Sequence, residues 1–573
     1  MNPSTVLATV LVDELVRQGV AHAVLSPGSR SAPLALALHT DDRIRLHVRI
    51  DERSAAFFAL GLAKASGAPV VVACTSGTAA ANLHPAIVEA DLAGVPLLVL
   101  TADRPPELRG TGANQTIDQL GLYGGAVRWF CEAGAPDEVP GIQMYWRSLA
   151  SRGVAEARGG AGHPPGPVHV NLAFREPLVS SGDDKQVSGD HPTARHRRQG
   201  QPWTRVVPAD PAPAEEVVTG LVDEVAATPR GLLVVGDTTA DPDPLLAFAR
   251  AAAWPVLAEP QSGARAGDEA ITTYDLLLSD PSFAQAHRPD LVITVGKTGL
   301  SKALLAHLGP DVVQILLDPY GGWLDPRRAL SRIIAASPSR LAAALTARLP
   351  RRDDRAWLDG WRTAEQRVRT ALDEALDAEQ VPSEPRTARD LAALVPDGSV
   401  LTVASSMPVR DLNSFMAARG GLRVLGNRGA SGIDGFCSTA LGIAAAWNGP
   451  AFALAGDLSL LHDQNGLLPV PGRLPDLVLV VLNNDGGGIF NFLYAGHRAF
   501  ESVFATPHGV DLARLAAGLG VGHARLERAA DLGKALAAGR AAGGVQLIEV
   551  RTDRNANMAL HQRLVGIAHS ALG

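Results

Sequence analysis

Short apolar runs alternate with helix-length stretches along the first hundred residues. The runs AHAVLSPG, IRLHVRID, PVVVACTSG and VPLLVLTAD are separated by stretches such as SRSAPLALALH and ERSAAFFALGLAKAS. Strands and helices that alternate at this spacing predict a parallel sheet with crossover helices. PVVVAC and VPLLVL are apolar throughout, as expected of strands that helices cover on both faces. We therefore expect a doubly wound α/β domain at the start of the chain.

The same alternation returns twice. GLLVVGD, WPVLAE, PDLVITVG and VVQILLD form a second series, and SVLTVAS, RVLGNRG, AFALAGD, LVLVVLNND and VQLIEVR form a third. A segment rich in Pro, Asp, Gly and Arg, at about 179–216, is typical of a linker. The pattern predicts three doubly wound α/β domains with parallel sheets, at about 1–185, 186–355 and 356–573.

Length and composition agree with this organisation. The chain has 573 residues, whereas single cores stop growing at roughly 250–300 residues. No apolar run approaches the roughly 18 residues that a membrane span needs, and the net charge of -7 disfavours a nucleic-acid partner. The first residues lack the basic region of a signal peptide, and the three cysteines form no Cys-x-x-Cys pair. We expect a cytoplasmic protein that binds neither membrane nor nucleic acid.

Two polar turns follow apolar runs of the third series. AFALAGD ends in Gly456 and Asp457, and LVLVVLNND leads through Asn484 into a glycine run. Ligands of open α/β sheets bind outside the carboxyl ends of the strands, so both turns could reach one point. Mg²⁺ prefers hard oxygen ligands and often keeps phosphate and water in its shell. We predict Asp457, Asn484 and the carbonyl of Gly486 as metal ligands, with the glycines 486–488 leaving room for a diphosphate.

These turns resemble the Gly-Asp-Gly and Asn-Asn motif of thiamine-diphosphate enzymes, although Leu458 stands where the motif usually has glycine. The resemblance implies that the cofactor is thiamine diphosphate with Mg²⁺ or Mn²⁺. The residues it implies for diphosphate and cofactor binding are Gly456, Asp457, Leu458, Ser459, Asn484, Gly487, Gly488, Ile489 and Phe490. The alternative is a pair of ordinary strand-end turns, because Asp, Asn and Gly favour turns for conformational reasons alone.

A carboxylate stands where a helix should begin after IRLHVRI. Glu52 matches the position of the glutamate with which this enzyme class hydrogen-bonds N1′ of the aminopyrimidine. The segment TSGTAAAN at 75–82 resembles the class's Ser-Gly-Pro-Gly-x-x-Asn segment, with Thr78 and Ala79 in place of Pro-Gly. The resemblance makes Glu52 catalytic and the first domain the pyrimidine-binding domain. Taken alone, an acid in a first helical turn is explained by the helix dipole.

The segment NRGASGIDG at 427–435 resembles the loop-to-helix segment beside the thiazolium ring. Ser431 and Gly432 would contact the cofactor, and Ile433 would be the apolar wedge that bends it. The alternative is a set of glycines that begin a tightly packed helix. In this class the pyrimidine-binding domain of one subunit faces the diphosphate-binding domain of another. The resemblance therefore implies a homodimer or a dimer of dimers, with a central Rossmann-like domain in each chain.

Four further segments narrow the resemblance, namely SPGSRSAPL at 26–34, TADRPPELRGTGANQTIDQ at 101–119, GLSKALL at 299–305 and SSMPVRDLN at 405–413. With 427–435 they resemble the 2-succinyl-5-enolpyruvyl-6-hydroxy-3-cyclohexene-1-carboxylate (SEPHCHC) synthase family of menaquinone biosynthesis, over nearly the whole chain and most weakly in the middle domain. The resemblance implies a transferase that decarboxylates 2-oxoglutarate and adds the succinyl carbanion to isochorismate.

Both of these substrates are dianions, which suits arginine and lysine partners in a partly dry cleft. By their positions in the matched motifs, the residues implied around isochorismate are Ser29, Arg30, Arg104, Asn114, Lys302, Ser406 and Arg410. Arg428, with Arg410, would hold the succinyl carboxylate, and Gln115 would lie near the reacting carbons. The implied catalytic set is Glu52, Gln115, Arg410 and Arg428. Taken singly, each arginine is better explained by a solvated surface.

Two other functions stay open at this point. An acetolactate-synthase-like or 2-oxoacid decarboxylase enzyme would share Glu52, Asp457 and Asn484, but it would need fewer guanidinium partners for small or apolar acyl groups. A non-catalytic nucleotide-binding α/β protein is the second alternative. LLVVGDTTADPDP in the middle domain looks Rossmann-like but lacks the Gly-x-Gly-x-x-Gly turn.

Overall fold

The structure is a computed structural model that describes residues 2–137, 139–160, 162–179, 200–207, 212–469 and 474–573. Most of the predicted linker at 179–216 lies outside these residues. The described part of the chain folds into two compact units. One unit comprises the residues up to 207 together with 427–448 and 459–476, and the other comprises 212–426, 449–458 and 477–573.

Within its described residues, the first unit contains a sheet of six parallel strands. The strands are β1 (His22–Leu25), β2 (Arg45–Val48), β3 (Val70–Cys74), β4 (Leu97–Asp103), β5 (Trp129–Glu132) and β6 (Pro167–Ala173), in the order β2-β1-β3-β4-β6-β5. The helices of this part are α1 (Pro3–Arg17), α2 (Ala32–Thr40), α3 (Glu52–Ser66), α4 (Thr78–Asn82), α5 (His84–Ala93) and α6 (Ile142–Arg158). Every residue of β3 and β4 is buried, which explains their uninterrupted apolar runs.

The second unit contains two parallel sheets, in the orders β11-β10-β9-β7-β8 and β13-β12-β14-β15-β17-β16. The strands of the first are β7 (Gly231–Val235), β8 (Val256–Ala258), β9 (Leu291–Val295), β10 (Val313–Leu317) and β11 (Arg332–Ile334). The strands of the other are β12 (Ser399–Val403), β13 (Leu422–Leu425), β14 (Ala451–Gly456), β15 (Leu477–Asn483), β16 (Gly522–Arg525) and β17 (Val545–Arg551). The fold class predicted from the sequence is thereby confirmed.

The later helices follow the strand-and-helix alternation. Those around the middle sheet are α7 (Glu215–Ala227), α8 (Pro242–Ala252), α9 (Tyr274–Ser279), α10 (Pro281–Ala286), α11 (Lys302–His307) and α12 (Pro338–Arg348). The rest are α13 (Ala356–Ala378), α14 (Glu384–Leu394), α15 (Met407–Phe415), α16 (Phe436–Ala446), α17 (Asp457–His462), α18 (Asn491–Tyr494), α19 (Leu512–Gly518), α20 (Leu532–Ala542) and α21 (Arg554–Leu572). No helix within the described ranges is both long and apolar enough to cross a membrane.

Helix α3 packs closely against α16 within the first unit, and glycines make the approach possible. A Cβ atom on Gly61 would lie 2.1 Å from the carbonyl oxygen of Thr439, and one on Gly442 would lie 2.1 Å from that of Phe58. A side chain at either position would push the backbones apart. The crossing therefore fixes the helix that begins at Glu52 against the helix that follows the 427–435 segment.

Candidate active site

The predicted metal ligands lie at the carboxyl ends of two adjacent strands. Strands β14 and β15 are parallel neighbours, with Gly456 opposite Leu482 in the register. Asp457 begins α17 directly after β14, and Asn484 directly follows β15. Oδ2 of Asp457 accepts a hydrogen bond of 3.0 Å from the backbone N–H of Gly486. This bond draws the turn after β15 to the carboxylate at the end of β14.

Asp457 is a buried carboxylate that several donors surround. Its Oδ1 accepts from the N–H of Leu458 at 2.7 Å, and Nε2 of His508 lies 3.3 Å from its Oδ2. Burial raises the pKa of Asp457, and the donors from Gly486, His508 and Leu458 oppose that rise. Such a carboxylate is a suitable partner for a cation, because a positive charge offsets the cost of keeping it ionised away from water.

Asn484 presents an amide oxygen to which no described residue donates a hydrogen bond. Its Nδ2 donates to Oε1 of Glu384 at 2.8 Å, whereas its buried Oδ1 has no hydrogen-bond partner among the described residues. Buried polar atoms are normally paired, so an unpaired acceptor beside a carboxylate indicates a missing cation or donor. The described ranges contain no group of three or more His, Cys, Asp or Glu side chains that could hold a metal. One carboxylate with amide and carbonyl oxygens fits Mg²⁺ or Mn²⁺ better than zinc.

The turn after Asn484 is shaped for a close approach of the backbone. Gly486 has a φ of 138°, and a Cβ there would lie 2.0 Å from the carbonyl oxygen of Ala505. A Cβ on Gly488 would lie 2.6 Å from Nδ2 of Asn484. Ile489 and Phe490 follow in a 3₁₀ turn and are both half-buried. The glycine run thus allows the buried backbone of residues 486–488 to lie close to Asn484 and Ala505, where a side chain would clash.

Behind Asn484 lies a buried group of charges that the sequence did not reveal. Burial and the charge of Asp411 raise the pKa of Glu384 to about 7, and Thr552 Oγ1 donates to its Oε1 at 3.0 Å. Asp411 and His561 form an ion pair of 2.7 Å. Burial alone would lower the pKa of His561, but the contact with Asp411 outweighs it and the pKa is raised. This pair joins α15, which carries Arg410, to the last helix of the chain.

The ion pair gives a test of stability. A raised histidine pKa means that the pair stabilises the fold fully below the unfolded pKa of about 6.5 and loses that contribution as the pH rises through the folded pKa. We expect His561→Gln to lower the free energy of unfolding by roughly 3 kcal/mol at pH 6, because Asp411 is left without its cation. The difference from the wild type should shrink at pH 9. Urea unfolding at both pH values measures it.

His569→Gln is the control for this variant, since His569 lies on the same helix and its bond to Ser279 is exposed. It should change the urea midpoint little at either pH. A destabilisation by His561→Gln that stays constant or grows from pH 6 to pH 9 would contradict the assigned charge on His561.

Two buried carboxylates hold the segments that carry Lys302 and Arg410. Asp275 accepts from Oγ of Ser301, the residue that caps α11, and from Oγ of Ser414 at 3.3 Å. Burial raises the pKa of Asp275, whereas the positive charge of Arg410 lowers it. Glu259 likewise accepts from two backbone N–H groups of the 299–300 turn. Neither acid belongs to a recognisable motif, so the sequence did not point to them.

Ser406 is the N-cap residue of α15, and Arg410 lies in the first turn of that helix. Nη1 of Arg410 donates to the carbonyl oxygen of Ser406 at 2.6 Å. Lys302, the first residue of α11, is exposed. The structure therefore holds the backbone of both cationic segments firmly and leaves the Lys302 amine accessible to a ligand.

Glu52 begins α3, but a neighbouring residue caps that helix. The carboxylate of Asp51 accepts from the backbone N–H groups of Arg53 and Ser54, at 2.8 and 3.2 Å. The carboxylate of Glu52 is half-buried and makes no hydrogen bond or ion pair with any described residue. Its charge raises the pKa of the fully buried Cys74, after burial itself. The dipole explanation is therefore weaker, because the capping function already belongs to Asp51.

The start of α3 is further fixed by Asp463, another residue that the sequence did not single out. One oxygen of Asp463 accepts from Ser54 Oγ at 3.0 Å, and the other accepts from the N–H of Ser438 at 2.7 Å. Nδ2 of Asn465 donates to Asp51 at 2.9 Å. Asp463 thus joins the first turn of α3 to the first turn of α16.

Arg30 and Arg104 form a buried basic pair. Arg30 donates to the carbonyl oxygen of Phe174 at 3.0 Å and to Glu176 at 3.1 Å, and Arg104 donates to Oγ of Ser76. Burial lowers the pKa of Arg104, and the charge of Arg30 lowers it further. Two guanidinium groups that repel each other in a buried place are well suited to an anion.

Ser76 also holds Gln115. Its Oγ donates to the carbonyl oxygen of Gln115 at 3.0 Å, and Nε2 of Gln115 donates to the carbonyl oxygen of Ser76 at 3.1 Å. The structure therefore brings Arg104 and Gln115 together around Ser76. Ser29, which precedes Arg30, and Asn114, which precedes Gln115, are both exposed. The resemblance of TSGTAAAN to a cofactor motif included Ser76 but did not reveal this linking role.

The segment 427–435 is held by Glu89. The N–H groups of Gly429 and Ala430 donate to its carboxylate at 2.8 and 2.6 Å, and Nζ of Lys64 lies 3.3 Å away. Arg428 precedes these bonds and is half-buried, as are Ser431, Gly432 and Ile433. A buried acid on α5 therefore sets the shape of the loop that the sequence assigned to the cofactor.

Several predicted site residues have a strained backbone conformation. In the described part of the chain, seven non-glycine residues have a positive φ, among them Gln115 (53°), Ser406 (74°) and Ser431 (63°). Asp485 (59°) adjoins Asn484. Such conformations cost about 1–3 kcal/mol each and persist only where the surroundings impose them, commonly at functional sites. The predicted residues fall into two groups, one in each unit, and each group contains such strain.

Three family descriptions match consecutive parts of the chain. "Thiamine pyrophosphate enzyme, N-terminal TPP binding domain" matches residues 5–122, and "Middle domain of thiamine pyrophosphate" matches 191–403. "Thiamine pyrophosphate enzyme, C-terminal TPP binding domain" matches 404–550. Thiamine pyrophosphate is thiamine diphosphate. Together with the three parallel sheets, these matches define an enzyme of the thiamine-diphosphate-binding class.

Curated relatives narrow the class. The chain is 51% identical to 2-succinyl-5-enolpyruvyl-6-hydroxy-3-cyclohexene-1-carboxylate synthase of Thermobifida fusca, over 98% of both chains. It is 45% identical to the protein of that name from Saccharopolyspora erythraea over 100% of both chains, and 44% identical to that of Myxococcus xanthus over 100% of this chain and 98% of the other. The chain belongs to the SEPHCHC synthase family.

Proposed function

We propose that this protein is a thiamine-diphosphate- and metal-dependent transferase that decarboxylates 2-oxoglutarate and joins the succinyl group to isochorismate. The products are SEPHCHC and CO₂, and the step belongs to menaquinone (vitamin K2) biosynthesis. Membership of the family supports the proposal, because the name of its members states the product.

The observation that favours an anionic acceptor is the buried pair formed by Arg30 and Arg104. Both guanidinium groups are buried, at 7% and 9% exposure. The charge of Arg30 lowers the pKa of Arg104, and the carboxylates of Asp103 and Glu176 oppose that effect in part. A carboxylate-rich acceptor such as isochorismate relieves that repulsion through charge-assisted hydrogen bonds. The small or apolar acyl groups of acetolactate-synthase-like enzymes and of 2-oxoacid decarboxylases do not. A nucleotide-binding protein without activity is disfavoured by the family.

Different residues of the chain would bind the metal ion and activate the cofactor. Thiamine diphosphate, when bound, supplies the electron sink that 2-oxoacid decarboxylation requires. Asp457, Asn484 and the carbonyl of Gly486 would hold Mg²⁺ or Mn²⁺ against its diphosphate. Glu52 would share a proton with N1′ of the aminopyrimidine ring, since its carboxylate has no competing partner among the described residues.

The substrate residues follow from the same assignment. Arg428, with Arg410, would bind the succinyl carboxylate, and Gln115 would orient the reacting carbons. The remaining acceptor-binding residues are Ser29, Arg30, Arg104, Asn114, Lys302 and Ser406. The cofactor would be enclosed by Ser431, Gly432, Ile433, Gly456, Leu458, Ser459, Gly487, Gly488, Ile489 and Phe490.

The assembly and organisation belong to the same proposal. Two subunits would complete each active site, as a homodimer or a dimer of dimers, with the pyrimidine-binding domain of one subunit facing the diphosphate-binding domain of the other. The domain limits would be 1–185 for the pyrimidine-binding domain, 186–355 for the central domain and 356–573 for the diphosphate-binding domain. We place the protein in the cytoplasm, without a membrane or nucleic-acid partner.

The test is CO₂ release from 2-oxoglutarate by the full chain after removal of cofactor and metal with a chelator. Thiamine diphosphate, Mg²⁺ and isochorismate are then omitted in turn. We expect release that requires cofactor and metal and that rises strongly with isochorismate, with SEPHCHC detected by mass spectrometry. Release that is indifferent to isochorismate would point to a 2-oxoacid decarboxylase, and no release under any condition would reject the proposal.

A further inference from the structure

We infer that Glu384 is a positioning residue that orients the amide of Asn484, so that its oxygen rather than its nitrogen faces the metal ion. The inference rests on the proposed function, because that function assigns the metal to Asn484. Glu384 is the first residue of α14, lies outside every segment on which the family resemblance rests, and is 1% exposed.

An asparagine amide can turn over, and its two ends have opposite effects on a cation. Oδ1 coordinates a metal, whereas Nδ2 directs two N–H donors at it. In the structure Nδ2 donates to Oε1 of Glu384 at 2.8 Å, and Oδ1 is buried without a partner in the described part of the chain. If the amide turned over, Oδ1 would face Oε1, and two acceptors would oppose each other. The contact therefore selects the orientation that leaves the oxygen for the metal.

Oε1 of Glu384 is an acceptor in its own right, because it also receives the hydroxyl proton of Thr552 at 3.0 Å. A proton bound by the carboxyl group would sit on the other oxygen, since Oε1 already receives two donors. The orientation of Asn484 therefore depends on the reach and accepting oxygen of the side chain, and not on its charge.

The chain offers a matched pair one residue away. Nδ2 of Asn483 donates to Oε1 of Glu549 at 2.7 Å, and both residues are buried. The chemistry is the same, but Asn483 ends β15 and is not among the proposed ligands. Substitutions at Glu549 thus disturb a buried Asn–Glu contact of the same kind, at an asparagine that is not a proposed ligand and reaches the metal turn only through the 3.3 Å bond from the N–H of Asp485 to its Oδ1.

The experiment distinguishes the effect of the length of the side chain at position 384 from the effect of its charge. Glu384→Asp keeps the charge but withdraws the acceptor, and Glu384→Gln keeps the reach and an accepting oxygen but removes the charge. Mn²⁺ binding to the full chain with thiamine diphosphate is followed by the electron paramagnetic resonance of free Mn²⁺. We expect the dissociation constant to rise about 10- to 100-fold in Glu384→Asp, the range typical of residues that orient metal ligands. Glu384→Gln should stay close to the wild type, as should Glu549→Asp and Glu549→Gln.

Saturating Mg²⁺ should restore kcat in Glu384→Asp, because the substitution weakens metal binding and not the chemistry. If wild-type protein binds no Mn²⁺ in the presence of thiamine diphosphate, the proposed metal site itself is wrong. If it does bind, two results would overturn the role of Glu384. One is wild-type affinity in Glu384→Asp; the other is a loss in Glu384→Gln that equals or exceeds the loss in Glu384→Asp. If Glu384→Asp fails to fold, a weakened Glu384→Gln overturns the inference and an unweakened one supports it.

Discussion

The Glu52→Gln enzyme is expected to release CO₂ from 2-oxoglutarate about 10³-fold more slowly than the wild type, within the range of a lost acid–base group. Glutamine fills the same space and leaves the Asp51 cap of α3 in place, so the fold and the binding of cofactor should persist. What is lost is the carboxyl group that, under the proposed function, would share a proton with the aminopyrimidine ring. Single-turnover CO₂ release at saturating thiamine diphosphate and Mg²⁺ measures the effect, and calorimetry measures cofactor binding.

Arg428→Met is the informative comparison for Glu52. If Arg428 binds the succinyl carboxylate, its removal should mainly raise the KM for 2-oxoglutarate, whereas Glu52→Gln should lower kcat at every concentration of substrate. Parallel losses of the same kind in the two variants would contradict the separate roles. A melting temperature close to the wild type in both is the condition for the comparison.

Asp457→Asn is expected to weaken Mg²⁺ binding in the presence of thiamine diphosphate by roughly 100-fold or more, beyond the 10- to 100-fold that changes outside the ligand shell cost. Asp457 is the one carboxylate of the proposed ligand set, and its burial would have to be offset by a cation. The amide keeps the shape of the side chain but not its charge, which sets much of the affinity for hard cations. Titration of metal-free protein by calorimetry measures the loss.

Asp485→Asn is the matched control, since Asp485 lies in the same turn. Its Oδ1 accepts from the N–H groups of His508 and Gly509, and the oxygen of asparagine can continue to accept them. Metal affinity close to the wild type is expected. Equal losses in the two variants would mean that the turn, and not the Asp457 carboxylate, determines binding.

The sequence predicts most inner strands and half of the edge strands, namely β2, β8 and β13. Runs such as PVVVAC and LVLVVL are apolar on both faces because helices cover both faces, and each forms a strand as predicted. Strands β5, β6, β11 and β16 were not predicted. Strand β6 is an inner strand and is fully buried, but His169 and Asn171 interrupt its apolar run. The other three lie at sheet edges and are at most half-buried, so their residues do not need to form an apolar run.

The candidate site could be read from the sequence wherever a motif carries the chemistry. Asp457 and Asn484 follow strand ends, and that placement can be deduced without coordinates. The acids behind the motifs could not be found in this way. Glu89, Asp275 and Asp463 hold site segments through contacts distant in sequence, and an isolated acid gives no sign of its partner. The assignment of roles to individual arginines remains a prediction.

The crossing of α3 and α16 limits how this enzyme could be redesigned. Arg30 and Lys302, which we propose to bind the acceptor, lie outside this crossing and can be varied without disturbing it. Gly61 and Gly442 offer no such freedom, since a single methyl group at either meets backbone at 2.1 Å. A mutant library that includes these two glycines will yield mostly inactive members, whichever acceptor it was built to select.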